Sequence, residues 1–339
     1  MGFVVAVVGA TGAVGREMLK TLEQRDFPVD VLVPMASPRS AGSKLPFRGK
    51  EVTVVAASAE AFKGVQIALF SAGAAAAREI APVAAAAGAV VIDNSSAWRT
   101  DPDCPLVVPE VNPEMIGMRP KGIIANPNCS TIQMLVALKP LHDAAKLRHV
   151  VVSTYQATSG KGHAAVEDLK AQARAWADGA PITPTVFPGQ IAFNLLSDWK
   201  PATSPDAEGY SEEEMKMVFE TKKIMGDPSI EVSPTCVRVP VVNSHSESVH
   251  AKFSRHVSVE EARALLRKAP GVVLDERPYA PGKHPQPIEA SGRDEVFVGR
   301  LRRDFADPHA LNFWVVSDNL RKGAALNAVQ IAEHVIRQL

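Results

Sequence analysis

Cys129 lies in the run Asn126-Pro127-Asn128-Cys129-Ser130-Thr131, between an apolar strand-like stretch at residues 122–125 and a segment of helical character that opens at Ile132. A thiol at the start of a helix and the C-terminal end of a parallel strand stands where open sheets gather ligands and where the helix dipole favours negative charge. A thiol titrates ordinarily near about 8.5, and such a setting lowers that by one to several units. The chemistry to expect is nucleophilic attack by a thiolate. Cys104 and Cys236 have no such setting and read as buried, inert thiols. Three widely spaced cysteines form neither a disulfide framework nor a CxxC pattern, so a reducing compartment and no metal are expected.

The second chemical signal is Gly9-Ala10-Thr11-Gly12-Ala13-Val14-Gly15, directly after the first apolar run and opening a helix near Val14. Glycines there permit a tight turn and close backbone approach, and the helix amides attract a pyrophosphate. The spacing is GxxGxxG rather than GxGxxG. An NAD site would place Asp or Glu at the end of the second strand, but that strand runs into Ser37, Pro38, Arg39, Ser40. Arg39 between serines suits a 2′-phosphate, so NADP is the expected cofactor. A solvated turn is the blander account of that segment.

Positioning these groups requires an α/β fold. Runs at residues 3–8, 29–34, 66–70, 89–92 and 122–125 are apolar and alternate with helix-like segments, the pattern of a Rossmann-like, doubly wound parallel sheet. The alanine-rich run 72–88 reads as a crossover helix closed by Gly88. Beyond Cys129, two-residue alternation at 237–242, 250–253, 295–301 and 312–316 predicts a mixed or antiparallel sheet in a second, α+β domain. Ser258-Val259-Glu260-Glu261 reads as a capping box for a helix to about residue 269. The predicted domains are 1–128 and 129–319, with a terminal helix over 320–339 returning to the first. Residues 178–210, dense in Pro, Gly and Ser, read as an interface arm or a lid.

Lys plus Arg equals Asp plus Glu at 37 each, so charge gives no reason to expect nucleic acid or an anionic membrane as partner. The N-terminus lacks a basic leader and cleavage site, and the longest apolar region, 65–92, is interrupted by Arg78 and Glu79. A cytoplasmic protein with a small-molecule substrate is expected.

The segments GATGAVG, ASPRSAG, DNSSAWR, VPEVN, NCST, STYQATSG, EEEMKM, RVPVVNSH and DNLRKGAA span nearly the whole chain and resemble the aspartate-semialdehyde dehydrogenase family. The resemblance implies that Cys129 carries an acyl thioester and that His245, separated from Arg238 by six residues in an Arg-x6-His segment, moves protons. It assigns Arg238 to the substrate carboxylate, Gln156 to the reacting carbonyl end, Glu213 to the amino group, and Arg99 and Lys216 to phosphate. Guanidinium forks suit carboxylates and phosphates, and an ammonium is best met by a carboxylate. Backbone amides near Cys129, or the Asn128 side chain, are the candidate oxyanion donors.

For the cofactor the resemblance implies contacts from Gly9, Thr11, Gly12, Ala13, Val14, Ser37, Arg39, Ser40 and Ser71, with Ser159, Gly160 and Asn319 completing the set. It further implies NADPH-dependent reduction of L-aspartyl 4-phosphate to the 4-semialdehyde, within lysine, threonine, methionine and diaminopimelate biosynthesis, and a homodimer that releases inorganic phosphate. Lys161-Gly162-His163 departs from the small residues expected after Gly160, and residues 193–201 keep only part of the usual run. The alternatives are an N-acetylglutamyl-phosphate reductase, which the Glu213 and Arg238 pair disfavours, and a non-catalytic NADP-binding relative. A glyceraldehyde-phosphate dehydrogenase would carry acidity after the second strand, which is absent.

Overall fold

Alternation along buried strands decides how the first unit is layered. In β1 (Phe3–Val8), Val5 and Val7 join one core while Ala6 and Val8 join another on the opposite face. The same division runs through β6 (Ile67–Phe70), where Ile67 and Leu69 face one way and Ala68 and Phe70 the other. A strand buried on both faces reads as a continuous apolar run, which is why these strands were visible in the sequence. The structure, a computed structural model, describes residues 2–338 and forms two compact units, one of residues 1–127 with 324–339 and one of residues 128–323.

The first unit adds α1 (Ala13–Gln24), β2 (Val29–Ala36), the hairpin β3 (Lys44–Phe47) and β4 (Lys50–Thr53), and β5 (Val55–Ala56). After β6 come α2 (Ala74–Ala86), β7 (Val90–Asp93) and β8 (Ile123–Ala125). Six strands pair in parallel in the order β5-β2-β1-β6-β7-β8. Met18, Leu19 and Leu22 of α1 pack on one face together with Ala328, Val329, Ala332 and Val335 of the terminal helix (Leu326–Val335). Ala77, Ala81 and Ala84 of α2 pack on the other, so the sheet is doubly wound. The terminal helix is preceded by a π-helical turn, Arg321–Ala325.

The second unit opens with α3 (Cys129–Ala145), buried nearly all round, and continues with β9 (Leu147–Gln156), α4 (His163–Ala177) and α5 (Glu212–Met225). It is completed by β10 (Glu231–Arg238), β11 (His245–Phe253), α6 (Val259–Leu266), β12 (Val272–Leu274), β13 (Val296–Arg303) and β14 (Ala310–Ser317). The sheet order is β10-β9-β11-β14-β13-β12, mixed in direction. Along β9, Val150, Val152, Thr154 and Gln156 are buried while Val151 and Tyr155 are exposed, so one face carries the core and the other is open.

The predicted bounds of one strand region and one helix need correction here. The strand predicted at 237–242 ends at Arg238, where its pairing with β9 ends at Gln156; the chain then crosses the end of β9 to begin β11 at His245, five residues before the predicted start. The helix expected to reach residue 269 stops at Leu266. Residues 178–210 are mostly irregular but packed: Phe187, Ile191 and Ala192 bury against Ala165 and Leu169 of α4, and Leu196 bridges to Arg238. Strand β9, helix α4 and the β3–β4 hairpin lay outside the predicted elements.

Candidate active site

Cys129 is the first residue of α3 and is half-buried. Its helix is capped by Asn128, in extended conformation, whose Oδ1 accepts from the amides of Ser130 (3.0 Å) and Thr131 (3.3 Å). A sulfur anion at this position lies at the positive end of the helix dipole. Gly323 packs against it closely enough that a Cβ there would stand 2.8 Å from the Cys129 Cβ. Asn128 also ties this turn to α5. Its carbonyl oxygen caps the helix, its Nδ2 donates to Glu213 Oε1 (2.8 Å), and its backbone N–H donates to Glu220 (2.6 Å).

Three strand ends bring the other expected groups together. Gln156 ends β9 and Arg238 ends β10, paired in register on adjacent parallel strands, and His245 begins β11 on the other side of β9. The six-residue spacing between Arg238 and His245 is the length of chain needed to cross the end of β9. Gln156 Nε2 donates to Ser130 Oγ (2.9 Å) and to Glu213 Oε1 (3.3 Å), so both neighbours of Cys129 in sequence are tied to this cluster.

Ala157 is the pivot. Its N–H donates to His245 Nδ1 (2.9 Å), and its carbonyl accepts from Arg238 Nη1 (2.9 Å). With Nδ1 occupied as an acceptor, the neutral imidazole carries its proton on Nε2. That atom is buried and has no hydrogen-bond partner within the described residues. Burial, reinforced by the Arg238 charge and opposed by Glu213, pushes the imidazolium pKa down to about 3. Gly160 leaves the room: a Cβ there would stand 3.1 Å from Arg238 Nη1 and 3.2 Å from His245 Nε2.

Glu213 comes from α5, whose capping box joins Ser211 to Glu214. Its buried carboxylate accepts from Lys216 Nζ (2.9 Å), Asn128 and Gln156. Burial works against ionisation, but Lys216, Asn128 and Arg238 together outweigh it and hold the carboxyl below the usual glutamate range. Glu213 and Lys216, expected to meet different parts of a substrate, are thus an ion pair one helical turn apart. Cys236 is buried behind them, its thiol pushed well up by burial and by the Glu213 charge.

Two residues escaped the sequence reading. Asp198 Oδ1 lies 3.3 Å from Arg238 Nε, and the Trp199 ring stacks 4.7 Å from the guanidinium carbon. Lys161, noted only as a departure, donates to Asp198 Oδ2 at 2.8 Å. The partial run at 193–201 was the only available signal. In the short turn Thr158–Lys161, Ser159 Oγ accepts from Asn319 Nδ2 (3.0 Å) and donates to Asn243 (2.9 Å). Asn319 Oδ1 in turn accepts from the amide of Ser244 (2.8 Å), a non-glycine residue held at φ +74° directly before His245.

In the first unit, Gly9, Thr11, Gly12, Ser37 and Ser71 line a cleft of about 400 Å³ together with Val8, Ala36 and Ala72. Gly9 adopts φ +82°, and a Cβ there would meet the Ser71 carbonyl oxygen at 2.5 Å; one at Gly15 would meet the Gly9 oxygen at 2.2 Å. These glycines let α1 begin flush against the sheet. Gly12 caps α1 with no side chain, and no acidic residue stands in the first turn, so the amides of Ala13 and Val14 are left to an anion. No carboxylate lines the cleft, Arg39 is exposed, and it makes no ion pair among the described residues. Ser40 stands beside it on the same short turn. The cradle fits a dinucleotide carrying a 2′-phosphate. Arg99 belongs to this unit, its guanidinium donating to the carbonyls of Ser95 and Asn94 (both 3.0 Å). Among the described residues no cluster of His, Cys, Asp and Glu is arranged to hold a metal ion.

Comparison with known proteins agrees with this geometry. Residues 4–118 match the family described as semialdehyde dehydrogenase, NAD binding domain, and residues 138–322 match semialdehyde dehydrogenase, dimerisation domain. The chain is 57% identical to an aspartate-semialdehyde dehydrogenase of Aquifex aeolicus, over 100% of this chain and 99% of that one. It is 51% identical to that of Bacillus subtilis, over 98% and 97%. Among solved structures, the aspartate semialdehyde dehydrogenase II of Vibrio cholerae complexed with ASA superposes with a TM-score of 0.95, at 48% identity and 99% coverage of both chains. The Candida albicans enzyme with NADP superposes with a TM-score of 0.74 at 25% identity, over 99% of this chain and 98% of that one. The resemblance carried by the motifs is therefore borne out over the full length, and the chain belongs to the aspartate-semialdehyde dehydrogenase family.

Proposed function

We propose that the chain reduces L-aspartyl 4-phosphate to L-aspartate 4-semialdehyde with NADPH, through a thioester on Cys129. The observation that carries this reading is the bracketing of Cys129: Asn128 binds Glu213 and Ser130 binds Gln156, so the thiol is fixed to a cluster that also holds Arg238 and His245.

The Cys129 sulfur attacks the acyl carbon, the carbon–oxygen bond to phosphate breaks, and a thioester remains. Arg238 holds the substrate's α-carboxylate, and Glu213, kept ionised by its neighbours, meets its ammonium group. Gln156 orients the acyl end. When bound, NADPH supplies a hydride to the thioester carbon. His245 presents Nε2–H to the oxygen on which charge develops and serves there as a neutral donor. Return of the electron pair from that oxygen expels the thiolate and leaves the aldehyde. Arg99 and Lys216 are the residues proposed for phosphate. Thr11, Gly12, Ala13, Val14, Arg39 and Ser40 would hold the pyrophosphate and adenosine end of the dinucleotide, and Ser159, Gly160 and Asn319 the nicotinamide end.

A homodimer is the proposed assembly. The match to a dimerisation domain supports it, as does the open sheet face where Val151, Tyr155 and Trp314 are accessible and the two rings pack 5.4 Å apart. A nucleic-acid partner is not proposed, given the balanced charge. Among the described residues, no helix is long and apolar enough to cross a membrane.

The decisive assay follows reduced nicotinamide in the presence of aspartate semialdehyde, phosphate and NADP, in the wild type and in Cys129→Ala, with N-acetylglutamate semialdehyde and NAD as alternatives. Activity with the first set that disappears in the variant is expected. A folded wild type inactive with that set would overturn the reading.

A further inference from the structure

Arg238 is restrained on three sides. Its Nε faces Asp198 (3.3 Å), its Nη1 donates to Ala157 (2.9 Å), and one face lies on Trp199. Nη2 makes no hydrogen bond among the described residues. The segment bearing Asp198 and Trp199 is pinned beside the guanidinium by paired backbone hydrogen bonds between Leu196 and Arg238 (3.1 and 2.7 Å). The Asp198 side chain is only 1% exposed, and its second oxygen is taken by Lys161, whose ammonium also sits over the Phe187 ring at 5.2 Å.

We propose that Asp198 is a positioning residue for Arg238, fixing which edge of the guanidinium meets the substrate, and that Lys161 restores the positive charge Asp198 would otherwise cancel. The proposal rests on the reading of Arg238 as the carboxylate-binding residue.

A guanidinium offers five N–H groups in a rigid fork. With Nε directed to Asp198 and one Nη1 hydrogen to Ala157, the edge left for a two-point contact is the one between Nη1 and Nη2. Stacking on Trp199 prevents rotation out of that plane. An aspartate alone would neutralise the arginine and compete with the substrate's carboxylate for it. Lys161 makes the row of three carry one net positive charge. A buried ion pair is a poor source of stability compared with apolar packing, so a role in orientation accounts for its presence better than a role in folding.

The test is steady-state kinetics of Asp198→Ala, Asp198→Asn, Lys161→Met and Asp198→Asn/Lys161→Met, with Arg238→Ala as reference. Loss of a charge-assisted hydrogen bond predicts that Asp198→Ala raises the KM for the semialdehyde about tenfold. The expected kcat stays within about twofold and the KM for NADP is unchanged, while Asp198→Asn, which keeps an acceptor for Nε, recovers much of the loss. Lys161→Met alone should raise the same KM severalfold by leaving Asp198 uncompensated, and adding Asp198→Asn should bring it back down, a coupling of opposite sign to simple addition. Alkylation of Cys129 by iodoacetamide should proceed at the wild-type rate in all four.

An unchanged semialdehyde KM in Asp198→Ala, additive effects in the double variant, or slowed alkylation would overturn the proposal. If Asp198→Ala does not fold, the other three variants decide it. If Arg238→Ala itself leaves the semialdehyde KM unchanged, the underlying assignment of Arg238 fails, which is distinct from a failure confined to Asp198.

Discussion

Acidification should destabilise this protein through His245, and one substitution isolates the effect. The imidazole is buried, accepts from Ala157 at Nδ1, and has its pKa lowered to about 3. In the unfolded chain it titrates near about 6.5. The folded pKa lies below the unfolded one, so the unfolded state binds the extra proton throughout the interval between them. Stability from this residue is fully present above about pH 7 and is lost as pH falls, by about 1.4 kcal/mol per unit, until the native state also protonates near the folded pKa. Between about pH 7.5 and pH 4.5 the loss amounts to about 3 kcal/mol. His245→Gln is the matched variant, because its amide oxygen can accept from Ala157 and its nitrogen can donate where Nε2–H does, yet it does not titrate. Urea unfolding of both proteins at fixed concentration across that range should show the wild type losing about 3 kcal/mol more than the variant. Parallel pH dependences would refute the buried, neutral imidazole. The same reasoning predicts that kcat/KM shows no histidine ionisation near neutral pH.

Other perturbations follow from the same geometry. Asn128→Ala removes the acceptor for two helix amides and one donor to Glu213, and should cost about 2 kcal/mol in urea unfolding together with activity. Gly160→Ala places a methyl against Arg238 and His245, and kcat/KM should fall by about tenfold or more while the unfolding midpoint moves little. Arg39→Ala should raise the KM for NADP about tenfold and leave that for NAD nearly unchanged, since only the 2′-phosphate would lose its partner. Thiol titration should find Cys236 unreactive until the chain is unfolded, because burial pushes its thiol well up, whereas Cys129 reacts in the native protein.

Legibility in the sequence depended on where each residue's partners lie. Strands β1, β2, β6, β7 and β8 could be placed within a residue or two because they are almost wholly apolar, and the glycine turn because Gly9 and Gly15 admit no Cβ. Cys129 could be placed because its cap and helix are contiguous with it. Gln156, Arg238 and His245 carried no local signal of a shared site, since what unites them is strand order, and only the family resemblance named them. Strand β9 was missed although its burial alternates: its apolar run is confined to Val150, Val151 and Val152, flanked by Arg148 and His149 on one side and Ser153 and Thr154 on the other. Asp198 and Trp199 stand in an irregular segment whose conformation is set by packing on α4 and by a two-bond bridge to β10, neither of which has a period to read.

The alternation of β9 has a consequence for how two copies of this chain would communicate. Gln156 turns inward to Ser130 and Glu213, while Tyr155, one peptide bond away, turns outward to pack with Trp314 on the open face. On β11, His245 and Glu247 point to the core with Ser246 between them, paired to Tyr155. The reactive groups and the surface proposed for a second copy are opposite sides of the same few peptide units, with no intervening layer between them. A side chain on the open face that shifted these strands would therefore move the reactive groups with them.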